Sequence, residues 1–114
     1  MAGVPASQQD PYLVVDLYLA LGGCLLDTRQ SDAALTTVGK AEQALSRVEA
    51  ADRFEFELLM RWQKVQILTA RGNLSEARDL IDKTVEMARP RSGTEKFIAQ
   101  LDEWKQTQLR SARH

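Results

Sequence analysis

Apolar side chains recur at helical spacing along almost the whole chain, and the two-residue alternation of a strand is nearly absent. The one alternating run, Phe54-Glu55-Phe56-Glu57, falls at the start of a helical pattern. Five helices follow. The first spans about Pro11 to Asp27, with Asp10 as cap and Pro11 in the first helical position, where its missing N–H costs nothing. Its apolar residues (Tyr12, Leu13, Val14, Val15, Leu17, Tyr18, Leu19, Leu21, Leu25, Leu26) cover most of its circumference, which predicts burial on more than one side.

The second helix spans about Asp32 to Ala50 behind Ser31 as cap, with one narrow stripe of Ala34, Val38, Ala41, Leu45 and Val48. Gly39 inside it marks a close contact or a slight bend. The third spans about Arg53 to Arg71, opened by a capping box of Asp52 and Glu55. It is apolar on two faces, one of Leu58, Trp62 and Val65, the other of Phe56, Met60 and Ile67. The fourth runs from Leu74 to Ala88. Gly72 supplies the left-handed turn before it, Asn73 and Glu76 its capping box, and Pro90 its end. The fifth runs from about Gly93 to Arg110 behind a Ser92/Glu95 box, with Phe97, Ile98, Leu101 and Trp104 on a single stripe. Helices apolar on two faces thus alternate with helices apolar on one. Stacked hairpins need that order: each first helix sandwiched, each second helix outside, and a last helix over the exposed end.

A shift of 43 residues superimposes the two hairpins without a gap: Gly22 meets Val65, Leu25 meets Leu68, Ala34 meets Ala77, Val38 meets Ile81 and Ala41 meets Thr84. In the first unit, Tyr18-x-x-Leu21-Gly22-x-x-Leu25 followed by Ala34, Val38 and Ala41 resembles the tetratricopeptide (TPR) signature. In the second, Gly72-Asn73-Leu74-Ser75-Glu76-Ala77 with Ile81 and Pro90 resembles its turn, second helix and terminator. Arg61, Lys64 and Val65 depart from the pattern, Arg29 stands where the first turn would carry glycine, and the spacing exceeds the usual ~34. The resemblance covers residues 12–90 and resembles, in its long spacing, the arrays of large bacterial transcription regulators.

The resemblance implies an all-α fold of two stacked antiparallel hairpins and a C-terminal capping helix. Residues 10–110 would form one domain between a flexible N-terminus (1–9) and a flexible tail (111–114). It implies a concave groove lined by Leu19, Gly23 and Leu26 from the first helix and by Trp62, Gln66 and Thr69 from the third. Some members grip a terminal carboxylate with lysine and asparagine at such points. Leu19, Gly23, Trp62 and Gln66 favour an apolar or helical segment instead. Trp62 reads either as a groove anchor or as packing against the fifth or first helix, whereas Trp104 and Tyr18 read as core.

Chemistry narrows the function by subtraction. His114 is the only histidine and Cys24 the only cysteine, so neither a catalytic triad nor a zinc site can be assembled, and Cys24 reads as a buried, inert thiol. Gly22-Gly23 lacks the ending of a phosphate loop. Residues 1–88 hold 13 acidic and 9 basic side chains and residues 89–114 hold 3 and 6, a balance without the footprint of a nucleic-acid binder. The segment MAGVPASQQ lacks the features of a signal peptide, and no apolar run spans a membrane, which predicts a cytoplasmic or nuclear protein.

The expected function is therefore a non-enzymatic adaptor or scaffold subunit. It would bind a protein partner through the inner groove or the N-terminal face, as part of a hetero-complex or a homodimer, with no cofactor, nucleic acid or membrane. A chaperone for a secreted or aggregation-prone client and a sensor module of a transcription-regulator system are the alternatives. Two repeats are fewer than the ~3 that usually make a stable array, so the apolar first helix calls for a cover.

Overall fold

The computed structural model describes residues 11–109, all of whose regular elements are helical. They are α1 (Pro11–Asp27), α2 (Ser31–Leu45), α3 (Ala50–Ala70), α4 (Leu74–Ala88) and α5 (Glu95–Trp104), followed by a π-helical turn, Lys105–Leu109. The fold is all-α: helical hairpins plus a C-terminal helix. The Asp10 cap and the proposed flexible ends, 1–9 and 111–114, lie outside the described residues. The chain divides into two compact units, Met1–Met60 and Arg61–His114, with the boundary inside α3.

In the first unit α1 packs on α2. Its core is small-residue rich: Val15, Ala34, Val38, Ala41, Ala44, Leu45, Val48, Leu58 and Met60 are buried. The alanine stripe read from α2 is thus a packing face. Gly39 is not a close-contact glycine, since a Cβ added there meets no atom within 4 Å. In the second unit Val65 and Leu68 of α3, Ala77, Ile81 and Val85 of α4, Leu101 of α5 and Leu109 of the π turn form one apolar cluster. Trp62, Leu74, Leu80, Phe97, Ile98 and Trp104 pack around it. The Arg78 guanidinium donates to the Leu109 carbonyl at 2.8 Å, and the Lys105 ammonium pairs with Asp82 at 2.6 Å; together they hold the π turn against α4.

The two hairpin turns have the same geometry. After α1, the Gln30 N–H donates to the Leu25 carbonyl (2.8 Å) and the Arg29 N–H to the Leu26 carbonyl (3.0 Å). After α3, the Asn73 N–H donates to the Leu68 carbonyl (2.9 Å) and the Gly72 N–H to the Thr69 carbonyl (3.0 Å). Both are Schellman closures, which need a left-handed residue just past the helix. Gly72 supplies it at φ +79°, as the sequence predicts, and Arg29 supplies it at φ +63°. A side chain costs energy in that conformation where glycine does not. Arg29→Gly is therefore expected to raise unfolding stability by ~0.5–1 kcal/mol in urea titrations, the relief of strain exceeding the added chain entropy.

Element ends differ from the sequence reading where a side chain from elsewhere intervenes. α2 stops at Leu45 rather than running on to Ala50. The Arg53 guanidinium reaches back to the Val48 carbonyl at 2.9 Å, and the Ser46 hydroxyl donates to the Gln43 carbonyl at 2.7 Å, so the carbonyls past the helix are satisfied in a turn. α3 in consequence begins at Ala50, which puts Asp52 in its first turn rather than at its cap. α5 begins at Glu95 behind Thr94, not behind Ser92. The buried Thr94 hydroxyl lies 2.8 Å from the carbonyls of both Ala88 and Arg91, which stitches the end of α4 to the start of α5 across Gly93 (φ +85°). Ser31 is the first residue of α2 and Asn73 precedes α4, and neither helix start carries a side-chain capping bond.

Candidate functional site

α1 is buried on one side only. Its buried residues are Val15 and Gly22, while Leu13, Leu17 and Leu21 are 67%, 66% and 46% exposed. These leucines stand four residues apart, so they form one stripe along the helix, and exposed Ala20 and Cys24 extend it. The expectation that α1 is sandwiched on two sides is corrected here, and so is the expectation of a buried thiol: Cys24 is exposed. At about 100° per residue, Asp16 and Asp27 fall next to each other on one flank of the stripe. α1 contains no basic residue. The result is a continuous apolar face with an acidic border.

The N-terminal end of this face is tied to α3. The Tyr12 hydroxyl donates to the Asp52 carboxylate at 2.6 Å, and the Tyr12 ring meets Phe56 edge-on, with centroids 5.8 Å apart. The hydrogen bond to Asp52, with a smaller desolvation and the negative charges of Asp52 and Glu49, raises the Tyr12 pKa above its ordinary 10.0. The sign follows from linkage: a group whose folded pKa is raised adds stability below its unfolded value, and that stability is lost as pH rises through the folded one. The tie is thus intact up to about pH 10 and fails above it. Ultraviolet titration of a Tyr18→Phe variant, which follows Tyr12 alone, is expected to give half-ionisation above pH 10.0, falling back toward that value when Asp52→Ala is added.

The six groove residues expected from the sequence are all half-buried: Leu19, Gly23 and Leu26 on α1, within the first unit, and Trp62, Gln66 and Thr69 on α3, within the second. On α1 they lie toward the side of Val15 and Gly22, away from the leucine stripe. On α3 the structure brings Trp62 and Thr69 together through α5. Trp62 and Trp104 pack edge to face, centroids 5.1 Å apart at 82°. The Trp104 indole N–H donates to the Thr69 hydroxyl at 3.1 Å, and that hydroxyl donates on to the Val65 carbonyl at 2.8 Å. Trp62 thus packs against the fifth helix while remaining half-buried. A cavity of about 270 Å³ opens beside the pair, lined by Trp62, Gln100, Glu103, Trp104, Thr107 and Gln108.

The leucine stripe was not singled out by the sequence reading, because an all-round apolar helix does not say which side stays open. The available signal was the position of Asp16 and Asp27, which mark the solvent side. A scan against protein-family models and searches of curated proteins and of solved structures give no match to this chain. No helix among the described residues is long and apolar enough to cross a membrane.

Proposed function

We propose that this chain is a protein-interaction module, a small TPR-like adaptor or scaffold subunit that holds a partner's amphipathic helix against α1. The exposed leucine stripe carries the reading: single exposed leucines are ordinary, but a contiguous row on one helix face marks an interaction surface. Covering each of these side chains would contribute ~1–2 kcal/mol. Helix-in-groove recognition uses the same four-residue spacing on both partners. The acidic flank favours a partner bordered by lysine or arginine over a second copy of α1, which would set carboxylate beside carboxylate.

Two labelled synthetic helices with the same leucine stripe, one flanked by lysine and one by glutamate, test this by fluorescence anisotropy. The lysine peptide is expected to saturate and the glutamate peptide to bind at least about tenfold more weakly. Equal binding of the two would remove the electrostatic part. Binding that survives Leu17→Asp but is abolished by Leu19→Glu would move the site to the inner side of α1.

A further inference from the structure

The second unit carries a surface that the leucine stripe does not use. Trp62 from α3 and Trp104 from α5 meet at 82°, so two indole walls form a corner. Glu103 lines the same cavity, and among the described residues it makes no ion pair. Lys105, the nearest cation in sequence, is turned away: its ammonium is held by Asp82 at 2.6 Å. Among the described residues, no basic side chain lines the cavity. Gln100, Glu103, Trp104, Thr107 and Gln108 reach it from one face of α5 and the π turn, at the three- and four-residue spacing of neighbours on a helix. Thr107 spends its hydroxyl on the Glu103 carbonyl at 2.9 Å, so it is not a competing donor to the carboxylate.

Aromatic faces set at right angles beside a carboxylate attract one kind of ligand above others, an organic cation whose charge is spread over alkyl groups. The ring quadrupoles and the carboxylate both favour positive charge, and the indole surfaces favour the methyl groups around it. At about 270 Å³ the cavity is small for a drug-sized molecule but large enough for such a head group. We propose that the Trp62–Trp104–Glu103 corner is a binding site for a methylated ammonium, either a free quaternary amine or the side chain of a methylated lysine. Trp104 is positioned for this by its indole N–H bond to Thr69, which fixes the ring plane.

The test follows the two indole N–H resonances by NMR while the full chain is titrated with choline, with its uncharged carbon isostere dimethylbutanol, and with a short peptide bearing trimethyllysine. Choline is expected to shift both indole signals saturably, and the isostere to bind several-fold more weakly. Glu103→Gln, a change at an exposed position, should weaken choline about fivefold or more while leaving the isostere unaffected. Tighter binding of the peptide than of choline would assign the source to a partner's side chain, and the reverse order to a free amine. Absence of saturable shifts, equal affinity for choline and dimethylbutanol, or an unchanged Glu103→Gln titration would overturn the proposal. The site is independent of the α1 face, so Leu17→Asp should leave these titrations as they are, and failure of one reading does not carry to the other.

Discussion

Leu17→Asp is expected to leave the helical fold in place and to abolish partner binding. Leu17 sits in the middle of the exposed stripe, with about two-thirds of its surface in water, so the unbound chain loses little packing when it is replaced. The helix-propensity penalty of aspartate against leucine is ~0.5 kcal/mol. Circular dichroism and urea midpoints should therefore stay close to those of the parent. In the complex the same change forfeits ~1–2 kcal/mol of apolar burial and adds the cost of desolvating a carboxylate against a leucine-lined partner. A total of ~3 kcal/mol or more weakens affinity at least about 100-fold. Aspartate also extends the acidic flank of Asp16, so lysines on the partner would offset part of that cost; Leu17→Ser, free of added charge, separates the two effects. The exposed Cys24 supplies an independent readout. It lies on the same face, so its alkylation should slow when the partner is bound and should not slow in the Leu17→Asp chain.

The second large effect belongs to the core of the second unit. Ile81→Ala is expected to destabilise the protein by ~2–4 kcal/mol, because Ile81 is fully buried (0% exposed) among Val65, Leu68, Leu101 and Leu109. That cluster draws on α3, α4, α5 and the π turn, so no single helix can shift to fill the space without losing contacts elsewhere. Ile81→Val, which removes one methyl group, should cost ~0.5–1.5 kcal/mol, and the difference between the two variants measures the cavity. Chemical denaturation followed by tryptophan fluorescence suits the measurement, since both tryptophans pack on this cluster. A loss below ~1 kcal/mol for Ile81→Ala would mean that the site collapses around the smaller side chain.

The chain announces its helices more clearly than its surfaces. α1 ends at Asp27 and α4 runs from Leu74 to Ala88 as the sequence predicts, because local residues mark these points: Gly72 makes the left-handed turn before the fourth helix and Pro90 follows its end. α2 ends five residues early because Arg53, a residue of the next helix, takes the Val48 carbonyl. No glycine or proline announces that stop. The two misplaced capping boxes have the same origin. Asp52 accepts from Tyr12, forty residues away in sequence, and Thr94 reaches back to α4. Capping motifs are local signals, and here tertiary partners outcompete them. The left-handed turn residue at Arg29 was legible only by comparison with Gly72 in the other hairpin.

The candidate site was half legible. Periodicity finds that α1 is apolar all round, but only the packed structure shows which leucines remain in water and that Cys24 is among their neighbours. Trp62 was legible as an aromatic on α3, but not its edge-on contact with Trp104 of α5. The polar row of Gln100, Glu103, Thr107 and Gln108 carries no sign of a site in its own spacing. It becomes a cavity wall because Trp62 arrives from α3, a contact that no spacing within α5 foretells.

The most direct test of the central claim places a photo-crosslinking amino acid at position 17 of the full chain in its native cell, with a control at the exposed polar position 102. Mass spectrometry then reads the attached peptide. One dominant adduct is expected at position 17, absent from the control, to an amphipathic helical segment with leucine-type residues four apart and basic flanks. An adduct pattern at position 17 no different from that at position 102, or one dominated by the chain's own α1, would contradict it.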